Sequence, residues 1–276
     1  MRIAFSTLPF RRLSLIDAFD AMADLGIKQV ELCVDSHHSD SNCWNKPIEE
    51  IVYLKNNLDI NINSIHVPLT KRSNSVKLSD LRNIWTETAT NAIDLAACLK
   101  AEFIVQHVYS LKYSANKGQG NIAPEDILPD LKSVLSYAEK KCVKVALENV
   151  STPFCGMLGA GVKETVELIN LFPNDPIGIC LDVTHSMAAG IDPIEALELI
   201  DINNLMSIHA SDNYYNSFKD QHLPIGKGEI DWEVFFNRLD SKGFKGTLVI
   251  EVDEKEKKER CLIDSIEYLR YLEIID

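Results

Sequence analysis

Short runs rich in β-branched residues alternate with longer stretches of helical spacing along the whole chain. Eight such runs recur, at 2–6, 29–34, 61–67, 103–108, 144–149, 177–182, 205–210 and 247–252, and each reads as a buried strand. Between them, Leu81, Ile84, Trp85, Thr88, Ala92, Leu95 and Leu99 follow the i, i+3, i+4 rule of one helix face. Ile127, Leu131, Val134, Leu135 and Ala138 do the same, and Ile263, Ile266, Leu269 and Leu272 give a closing helix its apolar stripe. Pro47, Pro124 and Pro193 stand where helices should start, with Asp192 a good cap for the last. Eight strands alternating with about eight helices imply parallel pairing through right-handed crossovers. A closed (β/α)8 barrel fits both the count and the 276 residues, as a single α/β domain over 1–276. A doubly wound open sheet is the alternative. It usually opens on a glycine-rich turn, and the first turn here is Ser6-Thr7-Leu8-Pro9.

Composition narrows the setting. The apolar fraction of 46% and charged fraction of 25% are those of an ordinary globular chain, not a disordered one. No apolar run approaches the roughly 18 residues of a membrane helix, and MRIAFSTLPFRRL is broken too soon for a signal peptide. The seven cysteines, at 33, 43, 98, 142, 155, 180 and 261, are odd in number, form no C-x-x-C and mostly sit in apolar segments. Buried free thiols in a reducing compartment are expected, hence a cytoplasmic protein. The net charge of −13 disfavours broad nucleic-acid binding, so DNA is not the expected partner.

The chemistry collects at one place in the pattern. In such a barrel the active site lies at the C-terminal ends of the strands. Strand two ends near Glu31, strand three at His66, strand four at His107, strand five at Glu148 and strand six at Asp182, with His185 three residues on. Strand seven ends at His209 and strand eight at Glu251, and the loop after strand seven adds Asp220 and His222. One histidine at a strand end is usually a hydrogen-bonded core residue. Four of the seven at one rim, beside three strand-end carboxylates, are not, because carboxylates out of water need a cation. Three carboxylates and an imidazole suit Mn²⁺, Co²⁺, Mg²⁺ or Zn²⁺. Asp220 and His222, two residues apart, would face the same way on an extended loop, and with His185 could hold a further ion. The glycine-rich stretch 224–232 lacks P-loop spacing. It reads as a tight turn, with Asp231 capping the next helix and Trp232 packing beneath it. Long loops are expected at 35–46, 109–123 and 211–230.

The ordered segments IHVPL, VALENV, GICLDVTHS, IHASDN, DQHLPIGKGEIDW and LVIEV resemble those of the xylose-isomerase-like barrels, the superfamily of sugar phosphate isomerases/epimerases and endonuclease IV. By that resemblance Glu148, Asp182, His209 and Glu251 match the single-metal site of the ketose epimerases, with the two glutamates as acid and base. The wider set of His66, His107, Glu148, Asp182, His185, His209, Asp220, His222 and Glu251 matches the nine ligands of the endonuclease IV three-zinc site. The surroundings depart from that nuclease: Leu69 stands where it carries a DNA-wedging tyrosine, and His107-Val108-Tyr109 where it has His-Pro-Gly. The resemblance therefore implies a metal-dependent isomerase or epimerase of a small sugar-like substrate, with zinc-dependent hydrolysis at abasic DNA as the alternative. A third class is another metal-dependent lyase or dehydratase, or a non-catalytic sugar-binding barrel. One ion is expected at the four-residue site and up to three can be accommodated. His66, His107 and His185 would otherwise line the substrate pocket. A homo-oligomer is compatible with the sequence.

Overall fold

Strands that are buried on both faces need nearly continuous apolar runs, and the eight runs become eight strands. They are β1 (Arg2–Ser6), β2 (Gln29–Cys33), β3 (Asn61–His66), β4 (Phe103–His107), β5 (Lys144–Glu148), β6 (Ile177–Asp182), β7 (Leu205–Ala210) and β8 (Thr247–Ile250). The structure is a computed structural model and describes residues 1–34, 48–67, 78–108, 124–150, 161–215, 217, 219–253 and 258–275. Pro47, Leu69, Tyr109, Cys43, Cys155, His37, His38 and the expected loops at 35–46 and 109–123 lie outside these residues.

Every strand pairs in parallel with its neighbour in sequence. β8 returns to β1 through the registers Arg2↔Thr247 to Phe5↔Ile250, which closes the sheet into a barrel. The fold is a (β/α)8 TIM barrel, so the open-sheet alternative is excluded. Several strands stop one or two residues short of their apolar runs. The backbone there is leaving the ladder for the rim, although Val34 and Val67 still donate to the carbonyls of His66 and Val105.

Around the barrel run α1 (Leu15–Asp24), α2 (Ile48–Asn57), α3 (Leu78–Leu99), α4 (Pro124–Lys141), α5 (Val162–Ile169), α6 (Val183–Ala188), α7 (Pro193–Glu198), α8 (Trp232–Ser241) and α9 (Lys258–Tyr271). These are nine helices among the described residues, one more than the pattern implied. The β6–β7 crossover is split: Gly190 takes a φ of 80° after α6, and Asp192 caps α7 at Ile194 and Glu195 ahead of Pro193. In α3 the buried line runs through Trp85, Ala89, Ala92, Ile93, Ala96 and Leu99, and Ile84 is 43% exposed. Trp85, Ala92, Leu95 and Leu99 of the expected stripe are buried, and Ala89, Ile93 and Ala96 widen the buried face on the side away from Ile84.

The barrel interior is layered. Phe103, Val105, Ala146 and Cys180, with Met206 against them, form an apolar floor. Ser6, Glu31, Ser64 and Ser207 are also fully buried, with Ser64 paired to Phe103 and Ser207 to Cys180. A bulge in β3, where Val30 pairs Ile62 and Glu31 pairs Ser64, leaves Asn63 as the extra residue. Ser64 then donates to Glu31 Oε2 at 2.7 Å. Of the described cysteines, Cys33, Cys180 and Cys261 are buried free thiols, whereas Cys98 and Cys142 are exposed, against the expectation from their apolar neighbours. Both stand at the C-terminal ends of helices, α3 and α4, where the chain turns back toward a strand. No helix among the described residues is long and apolar enough to cross a membrane.

Candidate metal centre

The strand ends deliver their side chains to one rim. His66, His107, Glu148 and Asp182 are the last residues of β3, β4, β5 and β6; His209 is the last but one of β7, and Glu251 directly follows β8. All six are at least nine-tenths buried. Glu148 is the hub. Its Oε2 lies 3.1 Å from His66 Nε2 and 3.4 Å from His107 Nε2, and its Oε1 3.3 Å from His185 Nδ1 and 3.4 Å from His209 Nδ1. Glu251 Oε2 approaches His209 Nδ1 at 2.7 Å, and its Oε1 stands 3.9 Å from His66 Nε2. His66, Glu148, His209 and Glu251 thus place one ligand atom each within 4.8 Å of one another.

Asp182 was expected in that set, and the structure seats it elsewhere. It caps α6, with Oδ1 accepting from the His185 amide at 2.7 Å and from Thr184 Oγ1 at 2.9 Å. It groups with His185 and His222 as a second set of ligand atoms within 4.8 Å. A residue that ends a strand and caps the next helix faces that helix's first turn, which is where His185 sits.

Asp220 completes the second group. Its Oδ2 lies 3.0 Å from His185 Nε2 and 2.9 Å from His222 Nε2. Two backbone carbonyls fix these rings. His185 Nδ1 is 2.8 Å from the Asn149 carbonyl and His222 Nδ1 is 3.0 Å from the Glu251 carbonyl. A carbonyl only accepts, so each Nδ1 carries the hydrogen and each Nε2 is turned to Asp220. Asp220 and His222 do converge, but not by extended backbone: His222 takes a φ of 44°, a left-handed conformation costly for a non-glycine residue. The strain is held by the antiparallel bridge of Asp212 with Leu223 and by the Asp253 amide on the His222 carbonyl.

The electrostatics follow from burial and proximity. Burial lowers His66, but the hydrogen bond to Glu148 and the charges of Glu148, Glu251 and Glu31 outweigh it and raise it to about 9. Burial dominates at His107, where Glu148 compensates too little, and it falls to about 4. Burial also opposes charge on His222, yet Asp220 lifts it to about 10. Glu251, pushed up by burial, is drawn down to about 2 by His209 and His66. Glu148 is likewise held well below the carboxylate range by His107, His209 and His185, whereas burial wins at Asp182 and raises it.

The donor set fits a cation. Glu148 Oε1, Asp182 Oδ2, Glu31 Oε1 and both ring nitrogens of His209 are buried and carry no hydrogen bond. Buried carboxylate oxygens left in that state are costly without a positive partner. Oxygen and imidazole donors together are the chemistry of Mn²⁺, Co²⁺ or Zn²⁺.

Three supporting residues carried little signal in the sequence. Glu31, fully buried, stands 3.1 Å from His209 Nε2 on the side away from Glu251. Trp85 donates to the His107 carbonyl from α3 at 3.0 Å. Asp212 accepts from the Asn213, Gly226 and Ile230 amides and from Trp232 Nε1. The glycine-rich stretch therefore wraps a buried carboxylate of its own chain. At Gly228 a Cβ would sit 2.2 Å from Asp212 Oδ1, so only glycine fits. Asp231 caps α8 and Trp232 is fully buried, as the turn reading required.

The sequence profile of the xylose isomerase-like TIM barrel family matches residues 19–272. The chain belongs to that family. The uncharacterized protein MJ1311 of Methanocaldococcus jannaschii is 26% identical over 279 residues, covering 100% of this chain and 91% of that one. The probable endonuclease 4 of Sulfurihydrogenibium sp. is 31% identical over 199 residues, covering 66% of this chain and 68% of its own. Among solved structures, a D-tagatose 3-epimerase-like protein superposes with a TM-score of 0.77 at 24% identity over 99% of both chains, a likeness of fold.

Proposed function

We propose that this protein is a metal-dependent isomerase or epimerase of a small sugar-like substrate, working by proton transfer between Glu148 and Glu251. The observation that carries the reading is their placement. Two buried, ionised carboxylates, from β5 and from the residue after β8, converge on His209 Nδ1 at 3.4 and 2.7 Å within one donor group. A bound divalent ion supplies polarisation of a carbonyl and its neighbouring hydroxyl oxygen. Glu148 and Glu251, together with His66 and His209, are the residues that would hold it. An ionised carboxylate in this setting is the form that takes a proton from the carbon beside a carbonyl, and the other carboxylate, carrying a proton taken up from solvent, gives it to the other face or the adjacent atom. His107, neutral at ordinary pH, and His185, with its ring fixed by Asn149, offer hydrogen bonds to substrate hydroxyls. Closure of the floor by Phe103 and Met206 leaves the rim as the side from which substrate enters.

A second reading, zinc-dependent hydrolysis of phosphodiesters, is favoured by one observation: the second donor group of Asp182, His185, Asp220 and His222, which a single-ion isomerase does not need. The 31% identity with a probable endonuclease 4 supports it too. Its weight is reduced by the net charge of −13. Incubating the metal-loaded protein with a panel of ketoses and ketose phosphates in D2O separates the two. Deuterium entering carbon beside the carbonyl, and absent with Glu251→Gln, supports proton transfer. Incision of an abasic duplex without exchange on any sugar reverses the order.

A further inference from the structure

The loop arm carrying Asp220 and His222 meets the barrel through a residue that no proposed role uses. Thr184 is fully buried in the first turn of α6. Its Oγ1 lies 2.9 Å from Asp182 Oδ1 and 2.9 Å from Asp220 Oδ1. One hydroxyl has one hydrogen, so it bonds one carboxylate at a time and sits between both. The remaining oxygen of Asp220 takes the two imidazoles. The other ties on the arm hold its ends: Asn213 Nδ2 donates to the Lys219 carbonyl, and Ser211 Oγ lies 3.0 Å from His222 Nδ1. From the helix that Asp182 caps, His185 reaches one oxygen of the Asp220 carboxylate and Thr184 the other, and only Thr184 also touches Asp182 through its side-chain hydroxyl.

We propose that Thr184 is a positioning residue whose hydroxyl, shared between Asp182 and Asp220, locks the Asp220–His222 arm onto the start of α6 and so builds the second donor group. The inference rests on the reading of this rim as a metal-holding site. Two carboxylates brought this close repel unless a hydrogen or a cation stands between them. The hydroxyl gives its one hydrogen to either carboxylate in turn, and its oxygen, 2.9 Å from both Oδ1 atoms, spaces Asp182 from Asp220 before any ion arrives. Pre-set donors lose less on binding, and residues that orient ligands in this way typically carry about 10–100-fold in metal affinity.

The test uses the full chain with Thr184→Val, which keeps the shape and removes the hydroxyl, and Thr184→Ser, which keeps the hydroxyl and removes the methyl. Zinc is titrated into each after chelation, and the imidazole ¹⁵N spectrum of the metal-free protein is recorded beside it. Thr184→Val should weaken zinc uptake at the second group by about 10–100-fold, leave the His66–Glu148–His209–Glu251 group as in the parent, and shift the His185 and His222 ring signals. Thr184→Ser should restore both readouts. Thr184→Val with parental uptake and ring signals overturns the proposal. So does Thr184→Ser falling as far as Thr184→Val, because then the methyl group matters and not the hydroxyl. If the parent takes up no zinc, the metal reading fails, and the ring signals of the two variants alone decide the role of Thr184.

Discussion

The two donor groups at the rim are built from the same residue types but hung on different supports. His66, Glu148, His209 and Glu251 are fixed by the barrel itself, each at or beside the end of a hydrogen-bonded strand. In the second group, Asp182 ends a strand, His185 belongs to a six-residue helix, and Asp220 and His222 sit on a loop whose backbone is strained at His222. Strand ends position ligands without further help, whereas a loop must be tied at several points. The ties are visible: Thr184, Asn213, the Asp212–Leu223 bridge and two carbonyls facing ring nitrogens. The comparison implies that the first group holds an ion tightly and does the proton chemistry, and that the second binds more weakly or serves the substrate.

The largest effect that could break this division comes from Glu148→Gln and Glu251→Gln. Each should cut turnover by about 10²–10⁴-fold with the fold retained by circular dichroism. The two should differ in reach. Glu148 touches His107 and His185 as well as the first group, so its variant should disturb both donor groups, and Glu251→Gln only the first. Near-parental turnover in either, with metal still bound, would remove these residues from the mechanism.

Glu31→Gln is next in size. The carboxylate faces His209 Nε2 at 3.1 Å from inside the barrel. Its neutral replacement should lower affinity at the first group by about 10–100-fold and leave the second unchanged. Equal loss at both groups, measured by competition with a chromophoric chelator, would mean a general disturbance of the barrel and not an effect through His209.

Proton release on loading sharpens the comparison further. His66 and His222, raised to about 9 and about 10, are protonated in the metal-free protein at neutral pH, whereas His107, at about 4, is already neutral. Imidazole must lose its proton to ligate. His209 and His185 are raised as well, against the pull of burial, by their neighbouring carboxylates, so loading at about pH 7.5 should release protons from two rings in each group and none from His107, and affinity should rise with pH until it passes the raised values. Calorimetry in buffers of different ionisation enthalpy reads the count, and loading without proton release would contradict it.

Much of this was legible in the sequence, for physical reasons that also mark where legibility ended. A parallel barrel writes its strands as buried runs, so the rim residues could be placed from strand ends alone. The family resemblance then grouped Asp182 with Glu148, His209 and Glu251. The structure draws Asp182 toward His185, because its carboxylate is also the cap of α6, and a cap is a local duty that a strand-end count does not register. The Asp220–His222 pair was expected from an extended loop and instead meets through a left-handed His222, held by contacts from distant segments. Glu31 was expected near the end of its strand, but β2 runs on to Cys33 and leaves Glu31 at mid-strand inside the barrel. One buried carboxylate gives no hint of its partner until the barrel closes and sets His209 across from it.

The most direct test of the division between the groups is the number of ions the protein keeps. The chain should be saturated with zinc or manganese, dialysed at neutral pH against metal-free buffer, and its metal counted by elemental analysis. One ion per chain, lost on Glu251→Gln and retained on His222→Ala, is the expected result. Three ions per chain, each surviving dialysis, would contradict the division and turn the reading toward phosphodiester hydrolysis.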